Sequence, residues 1–354
     1  TRLKSKLKQD INLNDLEKAV NQEIRNMQKL RVVDADEPAP PLEDILPDLP
    51  MKDLKKPYNW TLNENGIWQE TRFGPICACP VPVLLTKRLQ NVDTAEEKVE
   101  IAFYRDQQWR YIVADRSTIF NKTSLIQLAD KGLPVSSESS KHLVRYLGDF
   151  ERENLNQLPL CRSVGRMGWV GSQIFIPGAE GEIELDVDQG GTASIAGGYR
   201  EEGSLEEWVS FIQQVRNFPI ARFTLSASFA APLLKLVNQR VFIIHNWGPS
   251  RGGKTASLKA ALSVWGEPEE VMASFNATKV GLERLAAFYS DLPLGIDERQ
   301  IMGDKQNFVE SLVYLLGMGK GKARGAKSGG LQAFQTWRTI ALTTGEEPLS
   351  TESS

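Results

Sequence analysis

The sequence is poor in cysteine and histidine, with Cys77, Cys79 and Cys161 of the one and His142 and His245 of the other among 354 residues. Neither a disulfide framework nor a zinc site of the usual ligand spacing can be assembled from so few. Cys77 and Cys79 alternate through a strand-like run and read as buried thiols. There is no apolar run long enough to span a bilayer and no leader-like segment at the start, so a cytoplasmic protein without membrane contact is expected. A surplus of one charge is missing too, since the formal net charge is −3. Any contact with nucleic acid must therefore come from local cationic segments. What remains, 41% hydrophobic and 25% charged residues, is ordinary for a globular chain, and the length predicts two domains.

The most informative stretch runs from Val241 to Thr255. Its apolar start, Val241 to Ile244, is too short for a helix and rich in β-branched residues, which predicts a buried parallel strand. Gly248-Pro249-Ser250-Arg251-Gly252-Gly253-Lys254-Thr255 then fits G-x-x-x-x-G-K-[ST] at every fixed position. Gly248, Gly252 and Gly253 let backbone N–H groups turn toward a polyphosphate. Lys254 offers a point charge to the β and γ phosphates, and the Thr255 hydroxyl suits Mg²⁺. A helix expected over Ala256 to Val264 aims its N-terminus at the same anion. The predicted nucleotide contacts run from Gly248 through Ala256, with ATP and Mg²⁺ as cofactors. A chance glycine-rich turn is the competing reading, and the flanking strand and helix count against it.

In chain order, residues 1–33 carry a helical stripe of Leu13, Leu16, Val20, Ile24 and Met27, and residues 34–57 are proline-rich and acidic, as in a linker. Residues 58–203 read as an α+β accessory domain. Tyr58 to Leu62 and Gly66 to Trp68 flank a hairpin turn, and further strands are expected at Val81 to Leu85, Glu100 to Tyr104, Trp109 to Val113 and Val164 to Pro177. Helices are expected at Ser124 to Lys131 and Ser139 to Asn154, and the glycine-rich run Gly190 to Gly198 reads as loop. This part holds no catalytic constellation. Helices at Leu205 to Val215 and Ala221 to Val237 open an α/β domain over 204–354.

Within that domain strand and helix alternate, as a parallel sheet requires. Val271 to Phe275 reads as strand and Lys279 to Ser290 as helix. Leu292 to Glu298 then forms an apolar run ending in Asp-Glu, like a Walker B strand. Asp297 would hold Mg²⁺ and Glu298 would polarise the attacking water. Pro293 and Gly295 suit a central strand poorly, which leaves an exposed acidic turn as the alternative. A helix is expected over Asn307 to Met318, and after it Lys320, Lys322, Arg324 and Lys327 are spaced by glycine and alanine. Thr339 to Leu342 makes another strand, ending in Thr343 and Thr344. A polar residue there matches the sensor 1 position of AAA+ ATPases, so one of the two threonines is expected near the γ phosphate. The basic loop lies where AAA+ ring helicases carry a pre-sensor 1 hairpin that grips DNA phosphates, although a solvated charged loop has the same composition.

From Leu205 to Pro348 the chain resembles the helicase-like proteins of prophages and cassette-type mobile elements, known as a domain of unknown function. The residues that carry the likeness are Ala230 to Leu234, Gly248 to Thr255, Ala261 to Gly266, Gly319 to Gly325 and Trp337 to Glu346; Val164 to Trp169 adds a weaker match. The resemblance implies a ring-forming replicative helicase akin to minichromosome-maintenance and superfamily 3 enzymes, whose AAA+ core couples ATP hydrolysis to movement along DNA. It implies a hexameric homo-oligomer with single-stranded DNA in a central channel, and a primase or initiator of the same element as partner. The family continues past the sensor 1 strand to an arginine that reaches a neighbour's ATP, whereas this sequence starts mid-helix and stops at Ser354. It is accordingly read as a fragment truncated after sensor 1, in which Arg299 and Arg338 are poor candidates for that arginine. Two further functions compete: a nucleotide-switch ATPase that loads or remodels a DNA complex, and a non-hydrolysing DNA-binding scaffold. The basic insertion weighs against the first, and the intact Lys254, Thr255, Asp297 and Glu298 against the second.

Overall fold

The computed structural model describes residues 42, 45–46, 48–179, 181–187, 191–274, 278–297, 313–322 and 334–349. The expected N-terminal helix, Glu298, Arg299, Arg324 and Lys327 lie outside these. Strands β1 (Trp60–Asn63) and β2 (Gly66–Gln69) form the expected hairpin, and β3 (Ile76–Cys79) extends it antiparallel. A second sheet pairs β4 (Val83–Asn91), β5 (Glu97–Arg105) and β6 (Gln108–Asp115) antiparallel, with β7 (Leu160–Val164) and β10 (Ile183–Leu185) added parallel on the β4 side. Between them in sequence, β8 (Gly168–Val170) and β9 (Gln173–Phe175) make a separate hairpin.

Helix α1 (Ser140–Asn154) carries Leu143, Tyr146, Leu147 and Phe150 on one buried face, the spacing that defines a core-facing stripe. Its Tyr146 hydroxyl donates to the Val83 carbonyl at 2.9 Å, and Asp149 accepts from the Trp60 indole at 3.0 Å. Leu42, Leu46 and Leu54, from the stretch whose composition reads as linker, are buried in this same core. Prolines fixed the expectation of an extended spacer, but the leucines between them have an apolar surface to cover. Cys79 is fully buried, and burial pushes its thiol up to about 12. Cys77, expected to be buried, is only half-buried, as is Cys161.

The second core surrounds a four-stranded parallel sheet in the order β11 (Phe242–Trp247), β14 (Ile340–Gly345), β13 (Leu294–Asp297), β12 (Ala273–Ser274). Helices α2 (Gly191–Gly197), α3 (Leu205–Val215), α4 (Pro219–Ala230), α5 (Lys254–Leu262) and α6 (Lys279–Tyr289) accompany it. Ser204 caps α3 by accepting from the Glu207 N–H at 3.2 Å, and Thr278 caps α6 through the Gly281 N–H at 3.1 Å. The Ser228 hydroxyl of α4 donates to the Ala261 carbonyl of α5 at 2.6 Å, which pins the two helices together.

Three expectations need correction. The run Gly190 to Gly198 is a helix over Gly191–Gly197, which buries Ala196 in the second core. The expected helix Ala221 to Val237 ends at Ala230 and resumes as one turn, Leu233–Leu236, since Pro232 cannot continue the ladder. The expected strand Val271 to Phe275 begins as a helical turn, Pro268–Val271, before β12. Gly295 does sit inside β13: a Cβ there would lie 2.5 Å from Leu262 Cδ1 of α5, so a helix packed this close over the sheet excludes a side chain. The second core also takes in Met167 and Tyr199, and the Met167 N–H donates to the Phe288 carbonyl at 2.8 Å.

Among the described residues no helix is long and apolar enough to cross a membrane. The β11 edge exposes Phe242 and Trp247, and Phe218, Ile220, Phe223 and Phe229 are exposed on and before α4.

Gly266 approaches the backbone of the segment after α2: a Cβ would fall 2.2 Å from the Gly198 carbonyl oxygen and 2.9 Å from Tyr199 Cα. Gly266→Ala is therefore expected to destabilise the fold by about 1–3 kcal/mol, the usual cost of overpacking. In urea unfolding the midpoint should fall at constant slope; an unchanged midpoint would show that the two segments separate freely.

Candidate functional site

The phosphate-loop sequence lies between β11 and α5. Gly248 has φ +143°, Arg251 +65° and Gly253 +76°, so the chain turns left-handed twice before the helix begins at Lys254. Gly253 ends the loop in a conformation that glycine adopts without strain. The helix starts two residues earlier than the sequence predicts, which puts Lys254, Thr255 and Ala256 in the first turn, where N–H groups have no intrahelical partner. The Lys254 ammonium donates to the carbonyls of Gly248 and Pro249, both at 2.8 Å, lying back across its own loop. Ser250 donates to the Glu346 carboxylate at 2.6 Å, tying the loop to the segment after β14.

Asp297 closes β13 and is 8% exposed. Its Oδ1 accepts from the Thr344 hydroxyl, and Thr255 Oγ1 stands 3.3 Å from the same oxygen. Residues from α5, β13 and β14 thus converge on one carboxylate. A hydroxyl beside a carboxylate is a hard oxygen donor set of the kind Mg²⁺ takes, and a glycine-rich loop with a lysine is one that suits a polyphosphate. The residues present fit both groups.

Sequence reasoning left Thr343 and Thr344 as equals, and the structure separates them. Alternation along β14 turns Thr343 to the opposite side, where its hydroxyl meets His245 Nδ1 at 2.8 Å. His245 Nε2 lies 2.8 Å from the Glu347 carbonyl, which can only accept, so Nε2 carries a proton and donates there. Thr343 is thus removed from the Asp297 cluster and fixes the end of β14 instead. His245 is a contributor the sequence did not single out; only the pairing His245↔Thr343 across β11 and β14 reveals it. Glu298 follows Asp297 directly in sequence.

Residues 313–317 are helical, with Leu316 buried and Val313, expected on the buried face, exposed. An antiparallel bridge then joins Lys320 to Thr336, supported by Gly321 N–H to the Gln335 carbonyl at 2.8 Å and Trp337 N–H to the Gly319 carbonyl at 3.1 Å. Residues 319–322 and 334–337 thus form two antiparallel arms, the first of which carries Lys320 and Lys322. Lys320 and Lys322 are exposed on the first arm, and the Lys320 ammonium lies 3.8 Å from the centre of the Phe334 ring on the second. Glu283 of α6, 2% exposed, accepts from the Lys322 N–H at 3.0 Å and anchors the first arm to the second core.

A family model described as "Domain of unknown function (DUF927)" matches residues 60–336. The chain belongs to this family. No curated protein matches the sequence. Among solved structures the chain is similar to "SCCmec type IV Cch - active helicase", at 16% identity and a TM-score of 0.54, over 82% of this chain and 55% of that one. At such identity the likeness is one of fold, and this chain spans little more than half the length of that protein. The family match agrees with the resemblance to a domain of unknown function.

The split between the two threonines is testable. Thr344→Val is expected to weaken Mg²⁺-dependent nucleotide binding by about 10- to 100-fold, the usual effect of losing a group that orients a metal-binding carboxylate. Thr343→Val should leave that binding near wild type while lowering thermal stability. Titration of a fluorescent ATP analogue with and without Mg²⁺ reads the difference, and equal losses in both variants would undo the assignment.

Proposed function

We propose that this chain carries the ATP-hydrolysing core of a DNA helicase or translocase of a mobile genetic element, of AAA+ type and acting as a hexameric ring on single-stranded DNA. The observation that carries this reading is the convergence of Thr255, Asp297 and Thr344 beside the Gly248–Lys254 loop. They meet at the ends of three neighbouring parallel strands, where open α/β sheets place their ligands. On this reading residues 204–354 make the ATPase core, with residues 58–203 as accessory domain and 1–33 and 34–57 as helix and linker before it.

Each residue then has a distinct task. Lys254 leaves the Gly248 and Pro249 carbonyls for the β and γ phosphates, and the first-turn N–H groups of α5 bind the remaining phosphate oxygens. Thr255 and Asp297 would hold Mg²⁺, which supplies charge neutralisation across the phosphates. Thr344 holds the Asp297 carboxylate in place, and Glu298 orients and polarises the attacking water. The antiparallel pairing at Lys320 and the exposure of Lys320 and Lys322 support DNA contact through these two residues, with Arg324 and Lys327 following them in sequence, because phosphate contacts independent of sequence need only local cations. The exposed Phe218, Ile220, Phe223 and Phe229, with Phe242 and Trp247 on the β11 edge, support assembly into a ring, since apolar surface of that extent is rarely left in water.

Lys254→Ala is expected to abolish nucleotide binding, whereas Glu298→Gln should keep binding and lose turnover, because the first residue meets ground-state phosphates and the second only the attacking water. Equal hydrolysis by wild type and Glu298→Gln would remove Glu298 from the mechanism. In strand-displacement assays on a forked duplex the wild type should unwind with ATP. Hydrolysis without displacement would favour a nucleotide switch instead.

A further inference from the structure

Behind the nucleotide site lies a cleft of about 1020 Å³, bounded by the sheet of β4–β7, the C-terminal end of α6 and the base of the paired arms. Six cations line it, Lys98, Arg166, Lys235, Arg284, Lys320 and Arg338, against the three carboxylates Asp93, Asp186 and Asp291. The carboxylates are committed: Asp93 takes Arg166 at 2.7 Å, Asp186 takes Lys98 at 3.5 Å, and Asp291 takes Lys235 at 3.3 Å. Arg338 donates to the neutral Asn238 side chain at 2.7 Å, and Arg284 and Lys320 have no ion pair among the described residues. The cleft therefore holds positive charge that its own acids do not offset. It also holds Phe334, 41% exposed, with the Lys320 ammonium against its ring.

We propose that this cleft binds single-stranded nucleic acid, with an unpaired base stacked on Phe334 and the backbone phosphates held by Lys320, Arg284 and Arg338. The proposal rests on the reading of the basic arms as a nucleic-acid contact and extends it to residues outside the basic run. An exposed aromatic ring beside uncompensated cations matches a strand that offers bases and phosphates in alternation. The bases of a duplex are stacked on one another, so only an unpaired base can lie on a protein ring. Lys320 already polarises the ring by a cation–π contact, and as a base stacks its ammonium remains placed for the adjoining phosphate.

The test compares a labelled oligothymidylate with an abasic strand of equal length, which keeps the phosphates and lacks the bases. Wild-type protein should prefer the oligothymidylate by about tenfold or more, the usual worth of one stacked base. Phe334→Leu should bind both strands at the abasic level, and Phe334→Trp should restore the preference. Arg284→Ala should weaken both strands alike and lower the slope of log affinity against log salt by about 0.7. Equal binding of the two strands by the wild type would overturn the stacking claim while leaving the basic arms as a DNA contact. Binding of neither strand would remove the nucleic-acid reading altogether. Loss of both strands by Phe334→Leu, with a lowered melting temperature, would make Phe334 a structural residue and refute the proposal.

Discussion

A carboxylate that leaves bulk water must find donors, and Asp297 finds one in the Thr344 hydroxyl with Thr255 close by. That need sets the register of three chain segments at once. Strand β14 is paired with β11 on one side and β13 on the other, Thr343 lying opposite both His245 and Ile296. A slip of one residue would turn Thr344 away from the carboxylate and bring Thr343 or Gly345 into its place. Helix α5 is held to the same standard by packing: Ser228 ties it to α4, and the missing side chain of Gly295 lets Leu262 settle onto β13. The loop carrying Lys254 is thus placed by contacts outside the loop itself.

The sequence made much of this legible because short-range rules governed it. The loop pattern, the strand before it, the helix after it and the Asp-Glu at the end of an apolar run are all local signals, and they locate β11, α5 and β13; β11, however, expected to be buried, is an edge strand with no buried residue, because its place in the sheet order is a long-range matter. Long-range geometry accounts for the misses. Whether Thr343 or Thr344 faces Asp297 depends on strand parity relative to a neighbour, which no single segment states. Gly295 looked like a defect in β13 and is the residue that close packing against α5 requires. The glycine-rich run before Tyr199 looked like loop, yet Ala196 had a core to enter. Phe334 carried no signal at all, since an isolated aromatic in a basic, glycine-rich setting acquires meaning only when the arm bearing Lys320 pairs with its own.

The candidate nucleotide site and the cationic cleft are joined by two continuous segments. One runs from Ser290 and Asp291, at the cleft, through β13 to Asp297. The other runs from Trp337 and Arg338, at the cleft, through β14 to Thr344. Six strand residues span about 20 Å, so the two sites are separated by roughly the length of the sheet. Each end carries the chemistry suited to its neighbour: hydroxyls and a carboxylate at one, guanidinium, ammonium and an aromatic ring at the other.

A hydrogen-bonded strand inside a sheet cannot shorten, so the two segments act as struts between the sites. The arms meet at the bridge Lys320↔Thr336 and are anchored through Trp337 and Glu283. Glu283 belongs to α6, and α6 leads directly into β13, while Trp337 leads directly into β14 and donates its indole N–H to the Leu316 carbonyl at 3.0 Å. The hydroxyl–carboxylate contact at one end of the sheet and the paired arms at the other are thus joined through α6, β13 and β14.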